Sequence, residues 1–137
     1  MAPSSQQAEG HLLVGTTLAG KYLLRRVLGV GGMGVVYAAQ HSFTGRHCAV
    51  KLLHKDHSTI PGYAEIGHDS VCDVYDAGEG PGGELYIVLE LLEGRDLAAA
   101  MARGDLSTAE IVEVGIQTLD GLSAAHDRGI IHRDVKP

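Results

Sequence analysis

Cysteine is scarce in this 137-residue chain, which carries only Cys48 and Cys72. A small secreted domain stapled by disulfides needs more crosslinks than one pair supplies. Each cysteine lies in an apolar, strand-like run, so both read as buried, reduced thiols. Positive charge is also short: 11 Lys and Arg face 17 Asp and Glu, a net charge of -6. Nucleic-acid binding needs basic surface that displaces counterions, so no nucleic-acid partner is expected. Long apolar runs are missing as well. The longest, 85–92, contains Glu90 and falls far short of the about 20 residues that a bilayer span requires. The opening MAPSSQQAEGHLLVG has neither the basic start nor the apolar stretch of a signal peptide. The sequence predicts no membrane segment and a cytoplasmic protein.

Hydrophobic residues make up 45% and charged residues 20%, the balance of an ordinary globular chain. Residues 1–17 begin with an aperiodic stretch of Ser, Gln, Ala and Pro and read as a flexible tail. Three strand-like runs follow at 21–28, 34–40 and 46–53, the first two separated by a glycine cluster and the last two by a turn at Thr44-Gly45. β-Branched and aromatic residues bounded by glycine predict an antiparallel meander. A second pair, 71–76 and 85–89, flanks the glycine-rich link 78–83, for five strands in all. From Asp96 onward alternation gives way to alanine. Ser107 and Glu110 fit a capping box. Val112, Ile116, Leu119, Leu122 and His126 follow at helical spacing, and Arg128-Gly129 supply a stop.

The chemistry concentrates in three places. Gly29, Gly31, Gly34 and Val36 form G-x-G-x-x-G-x-V. Backbone that must approach phosphate oxygens closely cannot carry β-carbons. Dinucleotide-binding folds use the same glycines, but there they open a helix and an acidic residue follows. Here they are followed by the strand-like Val35-Val36-Tyr37, and further on by Lys51 in the run Cys48-Ala49-Val50-Lys51. A lysine in an apolar strand is costly to bury unless it meets an anion. The third element, His132-Arg133-Asp134-Val135-Lys136-Pro137, comes directly after the long helix.

Together, and in this order, these elements resemble the protein kinases, and the wording of the motifs is similar to their bacterial Ser/Thr branch. The resemblance covers residues 18–137. It implies an α+β fold: a kinase-like N-lobe of five antiparallel strands with a shortened αC helix, then the first helices, αD and αE, of a C-lobe. The N-lobe would occupy 18–92 and the start of the C-lobe 93–137. By position, Gly29, Gly31 and Gly34 would cover the phosphates of ATP, and Lys51 would contact its α- and β-phosphates. Leu28, Val36 and Ala49 would wall the adenine, with Leu89 as gatekeeper. Glu90 to Leu92 would be the hinge, and Asp96 would meet the ribose. Asp134 would orient the substrate hydroxyl and accept its proton, and Lys136 would neutralise the transferred phosphate. The implied partners are ATP, magnesium, and a protein substrate bearing Ser or Thr.

The pattern departs from the family in two respects. No acid stands near Thr59, where the partner of the strand lysine belongs, and Pro61-Gly62 interrupts any helix. Glu65, in a remnant at 62–66, is the surviving candidate. The family's asparagine and D-F-G aspartate, its magnesium ligands, would fall beyond Pro137, so no metal ligand is assigned and the chain alone is not expected to turn over as a kinase. The alternative is a non-catalytic, nucleotide-binding pseudokinase or docking module. His47, His54, Asp56 and His57 match no structural zinc spacing and read as solvated side chains.

Overall fold

The computed structural model describes residues 13–54 and 66–137. These fall into two compact units, one built from 13–54 and 74–91 and the other from 66–73 and 92–137. Glu65, Asp56 and His57 lie outside the described residues.

The first unit is a six-stranded antiparallel sheet in the order β1-β2-β3-β4-β6-β5. Its strands are β1 (Thr17–Leu18), β2 (Tyr22–Gly31), β3 (Gly34–His41), β4 (His47–Leu53), β5 (Val74–Glu79) and β6 (Leu85–Leu89). The five runs expected from sequence are all here. The sixth, β1, is two residues long, too short to show a period. β2 continues through the glycines to Gly31, so only Gly32 and Met33 link it to β3. β5 starts at Val74, three residues later than expected, and runs through Gly78. Cys72 therefore lies outside the strand and is only half-buried, whereas Cys48 is buried as expected, and that burial raises its thiol pKa.

Alternation explains the core. Val35, Tyr37 and Ala39 of β3 share a face with Cys48 and Val50 of β4 and with Tyr86 and Val88 of β6. Leu18, Tyr22 and Leu24 complete the cluster. Tyr37 and Val50 are fully enclosed, at 0% exposure, and burying a side chain of this size stabilises by about 1.5–3 kcal/mol. The Tyr22 hydroxyl donates to Asp76 Oδ2 at 2.6 Å, tying β2 to the edge strand β5. Burial, then this bond, raises the Tyr22 pKa.

The second unit holds α1 (Leu97–Arg103) and α2 (Thr108–His126). The capping box at α2 is formed: Ser107 Oγ accepts from the Glu110 amide at 3.2 Å, and Glu110 Oε2 accepts from the Ser107 amide at 2.8 Å. The bond from that amide, and then the one from the Ser107 hydroxyl, hold the Glu110 carboxyl below its ordinary pKa. At the other end, Gly129 at φ +72° closes the chain reversal. Its N–H donates to the His126 carbonyl at 2.8 Å, and the Ile130 N–H donates to Ala125 at 3.0 Å, the paired bonds of a Schellman turn. The face of α2 that is buried is small rather than bulky. Gly121 and Ala125 are buried, with Gly121 against Ser70 and Val71, while Val112, Ile116 and Leu119 are at least half exposed.

One glycine is indispensable to the sheet. A β-carbon at Gly34 would collide with the Leu52 carbonyl oxygen of the paired strand, and Gly34 also sits at φ +153°. The obstacle is backbone and cannot rotate aside. Gly34→Ala should therefore destabilise by on the order of 2–4 kcal/mol, read as a lowered urea midpoint. A change under about 0.5 kcal/mol, the size of an ordinary surface substitution, would contradict the packing described.

Candidate nucleotide site and its relatives

The sheet's second face carries the residues that the motifs single out. Register places Gly29 opposite Val36, Val36 opposite Lys51, and Lys51 opposite Ile87. Cross-strand partners share a face, so these four form one row across four strands. A second row on that face runs Ala38, Ala49, Leu89. The two alanines make a shallow floor beside the half-buried Val36 and Lys51. Leu28 stands in a register shift of β2, between the pairs made by Val27 and Gly29, and is 41% exposed. Such bulges re-aim side chains that regular pairing would turn the other way. Lys51 makes no ion pair among the described residues. A half-buried cation with an open partner position suits an anionic ligand.

The glycines of the β2–β3 hairpin divide into two kinds. Gly34 is demanded by the chain itself, as above. Gly29, Gly31 and Gly32 are not: none has positive φ, and a β-carbon at any of them would meet nothing within 4 Å among the described residues. The second glycine-rich hairpin makes a useful contrast. At Gly78 a β-carbon would stand 2.7 Å from the Tyr86 hydroxyl, and Gly83 is left-handed at φ +81°. Gly80 is crowded by the Glu84 carboxylate. Internal packing and backbone conformation account for Gly78 and Gly83, and neither accounts for the first cluster. Among the described residues, open space over three glycines beside a lysine with no ion-pair partner forms a cradle that side chains would fill.

The remaining positions lie elsewhere. Glu90 and Leu92 follow β6 in irregular backbone, and Leu92 is 66% exposed. Asp96, expected beside a ribose, is the N-cap of α1, its Oδ1 accepting from the Ala99 amide at 2.7 Å. In the second unit, Lys136 Nζ lies 3.1 Å from Asp134 Oδ2. The Asp134 N–H donates to His132 Nδ1 at 3.2 Å, across Arg133 at φ +62°. One contact that the spacing of the histidines does not reveal is made by His54. It stays partly exposed, as a solvated histidine would, and its Nε2 also lies 3.3 Å from the Gly31 carbonyl. Its position directly after the strand paired with Gly34 was the available signal. No group of metal-ligating side chains occurs among the described residues. No helix among them is long and apolar enough to cross a membrane.

Comparison with known proteins agrees with this geometry. Residues 22–137 match the protein kinase domain family. The serine/threonine-protein kinase PknA of Mycobacterium tuberculosis is 37% identical over 140 residues, covering 90% of this chain and 32% of PknA. Pkn1 of Myxococcus xanthus, also a serine/threonine-protein kinase, is 37% identical over 86% of the chain and 18% of its own length. Among solved structures, the M. tuberculosis PknI kinase domain superposes with a TM-score of 0.72 at 30% identity, over 90% of this chain and 54% of that one. An antiparallel sheet with a glycine hairpin beside a strand lysine, followed by helices and an H-R-D loop, defines a kinase fold. The chain belongs to the protein kinase domain family. It spans about a third of the length of PknA and about half of the PknI domain.

The two kinds of glycine should respond oppositely to alanine. Where φ is compatible and space is open, Gly→Ala narrows the unfolded ensemble and stabilises by about 0.4–1 kcal/mol. Gly29→Ala and Gly31→Ala should therefore leave the urea midpoint unchanged or raise it. A fall of more than about 1 kcal/mol at either would mean that the fold itself requires these glycines.

Proposed function

We propose that this chain is the nucleotide-binding and catalytic-loop portion of a protein serine/threonine kinase, which moves the γ-phosphoryl group of ATP to a Ser or Thr hydroxyl of a protein substrate. The observation that carries the reading is the glycine cradle: three glycines that the fold does not require, on the hairpin whose paired strand holds Lys51. Backbone N–H groups freed of side chains can approach phosphate oxygens, and Lys51 adds the positive charge that a triphosphate needs. Leu28, Val36 and Ala49 offer apolar surface to the adenine, with the backbone of Glu90 to Leu92 presenting its hydrogen-bonding edge.

Asp134 then orients the acceptor hydroxyl and takes its proton as oxygen attacks phosphorus, while the bond to the β-phosphate oxygen breaks and ADP leaves. Lys136, already 3.1 Å from Asp134, offsets charge on the group in transit. Asp96 keeps one carboxylate oxygen on its helix cap and has the other for the ribose. Magnesium would supply charge that offsets the phosphates when bound, and no residue of this chain is assigned as its ligand. In domain terms, 18–92 forms the ATP-binding lobe, 93–137 begins the second lobe and 1–17 is a tail. Use of ATP fits a cytoplasmic setting.

Lys51→Met separates the phosphate from the base. Losing a charged hydrogen bond of about 1.5–3 kcal/mol should weaken ATP roughly 10- to 100-fold, with adenosine changed less than about twofold. Calorimetry with both ligands checks this. Equal losses would mean that Lys51 does not face phosphate.

A further inference from the structure

The cradle raises a mechanical problem. A hairpin end made of Gly31, Gly32, Met33 and Gly34 has almost no side chains with which to hold itself in place. Val30 and Val35 anchor its base, Val35 within the core and Val30 packed against it. Beyond them the ladder pair Gly31–Gly34 closes the hairpin, and one further residue supplies two bonds. The His54 backbone N–H donates to the Met33 carbonyl at 3.1 Å, and its Nε2 reaches the Gly31 carbonyl at 3.3 Å. The first bond is available to any residue but proline. The second requires this side chain. A carbonyl oxygen only accepts, so the imidazole must carry its proton on Nε2.

The imidazole bond has a consequence one atom further along the chain. In a planar, trans peptide the C=O and N–H point in opposite directions. Holding the Gly31 carbonyl toward His54 therefore turns the Gly32 N–H away from it, and that N–H has no hydrogen-bond partner among the described residues. Continuing the alternation of β4, Leu52 and His54 fall on one face, and Lys51 and Leu53 on the other. The free N–H is thus aimed away from the His54 side of the hairpin.

We propose that His54 is a positioning residue for the phosphate end of bound ATP: by fixing the Gly31–Gly32 peptide, it presets the Gly32 N–H to donate to a phosphate oxygen. This rests on the nucleotide reading above. It assigns no contact between His54 and the ligand. The gain is preorganisation: the imidazole adds a second bond to a carbonyl that the Gly31–Gly34 pair would otherwise hold alone, so less ordering is left to ATP binding.

The test compares His54→Ala, which deletes the side-chain bond, with His54→Gln, whose amide N–H can restore it. ATP and adenosine are titrated calorimetrically against each and against the unaltered protein. His54→Ala should weaken ATP about 3- to 10-fold, the range of one net hydrogen bond, and leave adenosine within about twofold. His54→Gln should recover most of the ATP affinity. Unaltered ATP binding in His54→Ala, an equal loss for both ligands, or no recovery in His54→Gln would each overturn the proposal while leaving the nucleotide site standing. Unaltered protein that binds adenosine and ATP equally would overturn the nucleotide reading and this one with it. Nitrogen-15 NMR of the imidazole is an independent check that needs no variant. The Nε2–H tautomer is expected, and a proton on Nδ1 alone would overturn the assignment.

Discussion

Between Gly34 and the Leu52 carbonyl there is no room for a methyl group. That close approach starts β3 against β4, and the pairing of Gly34 with Leu53 sets the register of everything after it. Val36 comes to lie beside Lys51, and Tyr37 beside Val50, so one strand pair feeds both faces of the sheet. The core face gains its two fully enclosed residues, and the other face gains a lysine next to a glycine hairpin. A slip of one residue would exchange the two faces and bury the lysine in the core. The glycine therefore does structural work that its place in a phosphate-binding motif does not reveal.

Its neighbours carry the opposite message. Glycine in a strand costs about 0.5–1 kcal/mol relative to alanine, and Gly29 and Gly31 of β2 incur that cost without relieving any clash among the described residues. The other glycine-rich hairpin, at 78–83, shows what internally required glycines look like, with Tyr86 laid over Gly78 and a left-handed Gly83. Two clusters of similar composition thus have different physical causes. The first adjoins Lys51, a cation with no ion-pair partner among the described residues, and that pairing is the ground for the nucleotide proposal.

The glycine hairpin, the lysine strand, the capping box at Ser107 and the Gly129 stop were all legible in the sequence, because each rests on local spacing and local bonds. The parts that were not legible depend on contacts across the fold. β5 was read as ending before Gly78 because glycine signals a turn, and only the Tyr86 ring above it explains a glycine inside a strand. β1 is too brief for any period. α2 was read by its bulky apolar positions, yet Gly121 and Ala125 are its buried residues, since the close neighbour is the backbone at Ser70. Asp96 was read for a ligand, and its capping bond to Ala99 is visible only once α1 is placed. His54 looked like one of several scattered histidines until β4 was paired with the hairpin.

The central claim is that the first glycine hairpin, and not the second, is built around a nucleotide. Backbone amide resonances followed through a titration with ATP test it most directly. The account predicts shifts concentrated at Gly29 to Val36, at Lys51 and at Glu90 to Leu92, with Gly78 to Glu84 unmoved. Shifts concentrated at Gly78 to Glu84, or none at Gly31 and Gly32 on saturation, would contradict it.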